Sequence, residues 1–263
     1  MKHETVDTAE QIKHDLSRFA KPEEVEGKKR FFKTAPGSYG EGDVFIAVSN
    51  PDLRKVAKRY IDLSFTELEK LLASEIHEYR QIALFILVLQ FERAGKKPSY
   101  DPELQKAVYD FYLAHLDAVN NWDLVDGSAH YIVGAFLLGK KDRSIIYTLA
   151  GSGDLWRERV AVISTFAFIR EMDFADTFKL AEKFIVHEHD LIHKAVGWML
   201  REIGKRDFES ENSFLKRHYR KMPRTMLRYA IEKFPEELRQ KYLKKVVAGA
   251  ACSATETSAR PEL

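Results

Sequence analysis

The 263-residue chain carries one cysteine, Cys252, so no internal disulfide can form. A cysteine-built zinc site is excluded with it, and a reducing compartment fits. Long apolar runs are missing too. The longest, residues 82–89, is about half of the ~18 residues that a membrane-spanning helix requires. The opening residues, MKHE, lack the apolar core of a secretory signal, and a cytosolic protein is expected. Strand-like alternation of apolar and polar residues occurs nowhere along the chain, which excludes an architecture built on half-buried sheets. Tryptophan is scarce, at three residues. What is abundant is ordinary globular material. An apolar content of 45% and a charged content of 31% describe a soluble, folded protein, long enough for one large domain or a continuous repeat array.

The net charge of +2 conceals an uneven distribution. Residues 194–245 hold 15 Lys and Arg against 7 Asp and Glu, while the chain before them is mildly acidic. A basic C-terminal third is either a footprint for a polyanion or a set of solvated helix faces.

The apolar spacing is helical almost throughout. Asp7 or Thr8 can start a first helix and Pro22 a second. Residues 31–43, FFKTAPGSYGEGD, place three glycines and a proline in one short stretch and so form a loop. Pro51 begins a helix to residue 60. Ser64 and Glu67 have capping-box spacing for another over 64–72. Further helices are expected over 77–92, 101–119, 131–138, 144–149, 154–170, 174–187, 191–203, 211–219, 225–234 and 235–247. The fold class is all-α. Ile82-Ala83, Val125, Val160-Ala161 and Val196-Gly197 recur at spacings of 43, 35 and 36 residues, near the period of two-helix HEAT-like units. Such units stack into a curved α-solenoid with a concave face; the alternative is an irregular helical bundle. A single repeat domain over residues 1–247 and a disordered tail over 248–263 are expected.

The stretch NNWDLVD, residues 120–126, is too polar for the start of the apolar segment behind it. Asn120 or Asn121 can cap a helix and Asp123 suits its positive end, but neither role accounts for Asp126. Trp122 and Asp126 are four apart and share a helix face. The other two tryptophans also fall near helix starts, Trp156 ahead of Arg159 and Trp198 beside Gly197. Each indole taken alone reads as a buried hydrophobe. Indoles and a carboxylate around one cleft can instead stabilise a cation.

Five segments together resemble the AlkD-type bacterial alkylpurine DNA glycosylases: FFKTAPGSYGEGD, PDLRKVAKRY at 51–60, NNWDLVD, WRERVAVISTF at 156–166 and HKAVGWMLREIGK at 193–205. The resemblance spans residues 18–247. It implies HEAT-like repeats around a concave basic groove that binds duplex DNA containing alkylated purines. The implied reaction is hydrolysis of the N-glycosidic bond of cationic N3- or N7-alkylpurines, without lyase activity, by a monomer in the cytoplasm near the nucleoid. It further implies Asp126 as the catalytic carboxylate, Trp122 and Trp198 as indoles holding the lesion-bearing sugar, and Arg159 as a phosphate contact. Arg157 and the loop residue Tyr39 join Arg159 as DNA-binding residues. A cationic base leaves without a proton from an acid, so a second carboxylate is unnecessary, and no metal or organic cofactor is implied.

Two departures from the family pattern stand out. Ala47-Val48-Ser49-Asn50 occupies the place of a glycine and a basic residue, and Glu158 sits between Arg157 and Arg159. Other candidates are weaker. His187, Glu188, His189 and His193 cross an expected turn, which suits a metal poorly. The three loop glycines follow no strand, so they are no dinucleotide fingerprint. His115 and His130 read as ordinary helix residues. Two rival functions are a non-catalytic helical-repeat module that binds branched or damaged DNA, and a scaffold for a protein partner.

Overall fold

The computed structural model describes residues 7–244; the tail expected over 248–263, and Cys252 within it, lie outside them. Helix starts follow the capping chemistry in the sequence. Thr8 and Gln11 form a reciprocal capping box on α1 (Ala9–Ser17), and Pro22 opens a short 3-10 turn before α2 (Val25–Phe32). Ser49 caps α3 (Asn50–Ala57) and Ser64 caps α4 (Phe65–Leu72). The expected reciprocal half of the second box is diverted. The Glu67 carboxylate accepts the Ala9 N–H at 2.9 Å and so ties α1 to α4.

The long helix α5 (His77–Ala94) is buried on nearly every face, as expected of a helix at the centre of a core. It is covered by α3, α4 and α6 (Pro102–Ala114). Each fully buried aliphatic side chain along it contributes about 1.5–3 kcal/mol. Then come α7 (Trp122–Asp126), α8 (Ala135–Leu137), α9 (Ser144–Ala150), α10 (Leu155–Ser164), α11 (Phe166–Arg170) and α12 (Ala175–Phe184). The series closes with α13 (Asp190–Gly204), α14 (Phe208–His218), α15 (Arg224–Ala230) and α16 (Glu236–Leu243).

The fold is all-α, in keeping with a helical-repeat solenoid. Among the described residues there is no strand, only an isolated bridge between Val44 and Ile76, and no helix long and apolar enough to cross a membrane. Ile82, Ala83, Val125, Val160, Ala161 and Val196, the residues with the repeat spacing, are all buried. The chain comprises two compact units, Met1–Leu180 and Ala181–Leu263, with the boundary inside α12. In the first unit α10 receives α7 and α9; in the second α13 receives α14 and α15.

Two helices expected from apolar spacing are interrupted. Over 131–138 the chain makes a π-turn, His130–Gly134, in which the Ala135 N–H reaches the His130 carbonyl five residues back. Gly134 lies against the Ser164 carbonyl, so close that a Cβ on it would collide with that oxygen. The expected helix over 154–170 breaks at Thr165. The Ser164 and Thr165 hydroxyls donate to the Val160 and Val162 carbonyls, each at 2.7 Å, which bends the chain between α10 and α11. Ala47 takes a left-handed φ of 57°, a conformation costing a non-glycine residue about 1 kcal/mol. The Glu78 carboxylate holds it there by accepting the Ala47 N–H at 2.8 Å and the Ile46 N–H at 3.1 Å.

Glu211, in the second unit, is 1% exposed. Burial pushes its carboxyl up to about 9, and the Arg201 charge draws it only partly back. The folded protein therefore keeps a proton that the unfolded chain releases. The stability from this group is complete below the unfolded pKa and is lost as pH rises through about 9. Glu211→Gln removes that linkage. Its advantage over the wild type is expected to grow by up to about 1 kcal/mol per pH unit above the ordinary carboxylate range. Urea unfolding of both proteins at several pH values checks this; parallel stability curves would contradict it.

Candidate active site

A single helical turn, α7, carries Trp122, Asp123 and Asp126. Asn121 caps it, its Oδ1 accepting the Trp122 N–H at 2.8 Å. Its amide also donates to Asp43 Oδ2 at 2.8 Å, so Asn121 does more than cap.

Asp126 faces Arg159, which reaches it from α10. Nε donates to Oδ1 at 2.9 Å and Nη2 to Oδ2 at 2.8 Å, a fork that fits a carboxylate. The Arg159 side chain is 5% exposed and that of Asp126 19%, so the arginine is buried and the aspartate partly exposed. Burial pushes the Asp126 carboxyl above its ordinary value. The charge and hydrogen bonds of Arg159 oppose this without cancelling it, and the neighbouring Asp123 adds to it.

The Trp122 indole is half-buried. Phe32 stacks on it at 5.4 Å and 17° between planes, and Phe31 meets it edge-on at 5.7 Å. Tyr39, in the loop after α2, meets the Trp156 ring edge-on at 6.0 Å. Gly40 lets this loop fold back, because a Cβ there would strike the Phe32 carbonyl. Arg157 pairs instead with Asp117 at 2.7 Å. Both partners are exposed, an arrangement worth little in water. Glu158, the departure between the two arginines, is buried.

Trp198 belongs to the second unit. It lies half-buried on α13, with Nε1 3.3 Å from Glu202 Oε1. Gly197 beside it admits α15 at close range: a Cβ would lie 2.5 Å from the Met226 carbonyl oxygen and 2.6 Å from Tyr229 Cβ.

The histidines of 187–193 serve the turn before α13. The Nδ1 atoms of His187 and His189 accept backbone N–H groups at 2.9 and 3.1 Å, and His193 Nε2 meets the His187 carbonyl at 2.5 Å. These are turn and capping bonds. Among the described residues no group of three His, Cys, Asp or Glu is placed to hold a metal ion. His130 is 5% exposed in the π-turn, and burial, with the Arg170 charge, brings it down to about 3.

A buried polar cluster beside α7 escaped the sequence reading. His77, 1% exposed, stands between two carboxylates, with Nδ1 3.1 Å from Asp43 Oδ2 and Nε2 2.9 Å from Asp123 Oδ2. Gln81 donates to the same Asp123 oxygen at 3.0 Å, and Arg80 binds Asp43 Oδ1. Burial pushes the Asp43 carboxyl up, but His77 and Arg80 together take it below the ordinary carboxylate range. The available signal was the polar turn HEYRQ opening an otherwise apolar helix, and the last residue of GEGD.

An all-helical fold among the described residues, in which one turn carries an indole and an aspartate that an arginine of a neighbouring helix forks, defines a helical-repeat protein with a built polar site. The sequence model of the DNA alkylation repair enzyme family matches residues 12–234, and the chain belongs to that family. Among solved structures it is similar to a predicted DNA alkylation repair enzyme from Enterococcus faecalis. The TM-score is 0.62 at 17% identity, over 82% of this chain and 97% of that one; this likeness supports the fold. No curated protein matches the sequence at a significant level.

Proposed function

We propose that the protein is a DNA glycosylase that hydrolyses the N-glycosidic bond of cationic N3- or N7-alkylpurines in duplex DNA. The observation that carries the reading is the partly exposed Asp126 side chain, fixed by Arg159 one helical turn from Trp122, in a chain of the alkylation-repair family. Arg159 fixes the orientation of the carboxylate through both oxygens. An alkylated purine already bears positive charge, so the C1′–N bond breaks with its electron pair going to the base, which leaves neutral. The sugar passes through an oxocarbenium-like state. Asp126 stabilises it by charge and orients the water whose oxygen bonds to C1′. The water's proton passes to Asp126 and on to solvent. The products are a free alkylpurine and an abasic site.

The Trp122 indole supplies a π face to the developing cation, and Trp198 is assigned the same duty. The proposed DNA-acting body is a single repeat domain over residues 1–247. Tyr39, Arg157 and the basic C-terminal third contact the backbone. The exposed Arg157–Asp117 pair exchanges its carboxylate for a phosphate at small cost.

Methylated duplex DNA incubated with the wild type is expected to release 3-methyladenine or 7-methylguanine. Asp126→Asn should lower the single-turnover rate by at least about 100-fold with little change in DNA affinity. Salt-dependent binding by the wild type with no base release would replace this reading with a non-catalytic DNA-binding module.

A further inference from the structure

The cluster around His77 is built for a cation. A neutral imidazole has one N–H and one lone pair, so it can donate to one carboxylate only. At His77 both ring nitrogens face carboxylate oxygens within hydrogen-bonding distance, and a neutral ring would set a lone pair against one of them. An imidazolium donates to both. With it charged, Asp43 and Asp123 are balanced by His77 and Arg80. The other charged neighbours are Glu78 on the same helix, committed to the Ile46 and Ala47 N–H groups, and Lys28 on α2. Both line the small cavity that His77 shares with Trp122 and Asp123.

The ring also belongs to an aromatic cluster, 5.0 Å from the Phe32 ring as well. His77 stacks on Phe45 at 4.8 Å, Phe45 on Phe32 at 5.0 Å, and Phe32 on Trp122 at 5.4 Å. One arm thus reaches α7 through Asp123 and the other through Trp122, while Asp43 ties in the loop that bears Tyr39. We propose that His77, as an imidazolium, is a positioning residue for base release: it clamps the loop to α7 and so sets Trp122 and Asp126 against the substrate. The proposal rests on the glycosylase reading above. Consistent with the geometry, the two carboxylates raise His77 to about 9 against the opposing effect of burial.

Isotope-edited NMR of the imidazole at pH 7.5 should show both ring nitrogens protonated; a neutral ring overturns the proposal. His77→Gln should lower the single-turnover release of 3-methyladenine by about 100-fold. Its Kd for the same duplex should stay within about threefold of the wild type's. An unchanged rate in a variant with a native circular dichroism spectrum also overturns it. Asp123→Asn serves if His77→Gln fails to fold. The wild-type rate should fall on the alkaline side as pH passes through about 9, and Asp123→Asn should move that fall to lower pH. A purely structural role leaves the alkaline limb unmoved. If the wild type itself releases no base, the glycosylase reading fails and the positioning role fails with it. Release that survives His77→Gln removes the positioning role alone.

Discussion

Arg159→Ala should shift the acid limb of base release to higher pH and lower the rate at neutral pH by about 100-fold. Burial already pushes Asp126 upward, and Arg159 is the charge that restrains it. Without the guanidinium the carboxyl titrates higher still, so less of it is ionised at neutral pH. The proposed hydrolysis requires the ionised form. Folding pulls the other way. With its folded pKa above the unfolded value, Asp126 contributes stability that is complete below the unfolded pKa and is lost as pH rises through the folded one. Removing one member of a buried pair costs about 3 kcal/mol, near the lower end of the range because the Asp126 side chain is partly exposed. Arg159→Lys retains the charge but not the fork, and should fall between the two. Rate profiles against pH for the three proteins decide the matter. An acid limb that stays in place in Arg159→Ala would show that Arg159 does not hold Asp126 in its working state.

The second large effect is on stability. Gly134→Val should destabilise the protein by about 3 kcal/mol or more, seen as a fall of roughly 10 °C in thermal midpoint. A Cβ at this position collides with the Ser164 carbonyl oxygen and lies 2.9 Å from Ala167 Cβ. One obstacle is backbone, which cannot swing aside as a long side chain does. The π-turn must therefore part from α10, and the helix that supplies Arg159 loses its neighbour. A midpoint within 2 °C of the wild type's would imply that the turn moves freely. In that case Gly134 would not account for the break in the expected helix over 131–138.

What the sequence reveals and what it hides follow from the range of the interactions. Caps depend on residues a few positions apart, so Thr8, Ser64 and Asp101 mark their helices correctly. The repeat spacing likewise finds residues that are buried in the fold. The π-turn was hidden because its cause, contact between Gly134 and Ser164, joins residues thirty apart in the chain. Asp126 stood out locally as the residue that capping left unexplained, and Trp122 followed from helical spacing. Their surroundings did not. Asp43, His77 and Asp123 come from three separate segments, and a histidine at the head of an apolar helix has no periodicity to expose it. Asn121 and Asp123 could be read only as caps because their partners lie far off in sequence. Glu67 shows the same limit on a smaller scale, since its capping-box spacing is right but its carboxylate is committed to Ala9.

The first turn of α5 holds the loop ahead of it from both sides. Arg80 and His77 grip Asp43, and Glu78 takes the Ile46 and Ala47 N–H groups. Residues that would otherwise sample many conformations are thus ordered before any ligand arrives. Ordering a flexible side chain on association costs about 0.5–1.5 kcal/mol, and loop ordering adds to this. A segment fixed in advance escapes that penalty. The calorimetric consequence is a DNA-binding entropy with little contribution from this loop. Weakening its anchors, by Glu78→Gln for instance, should appear first as a less favourable entropy of association.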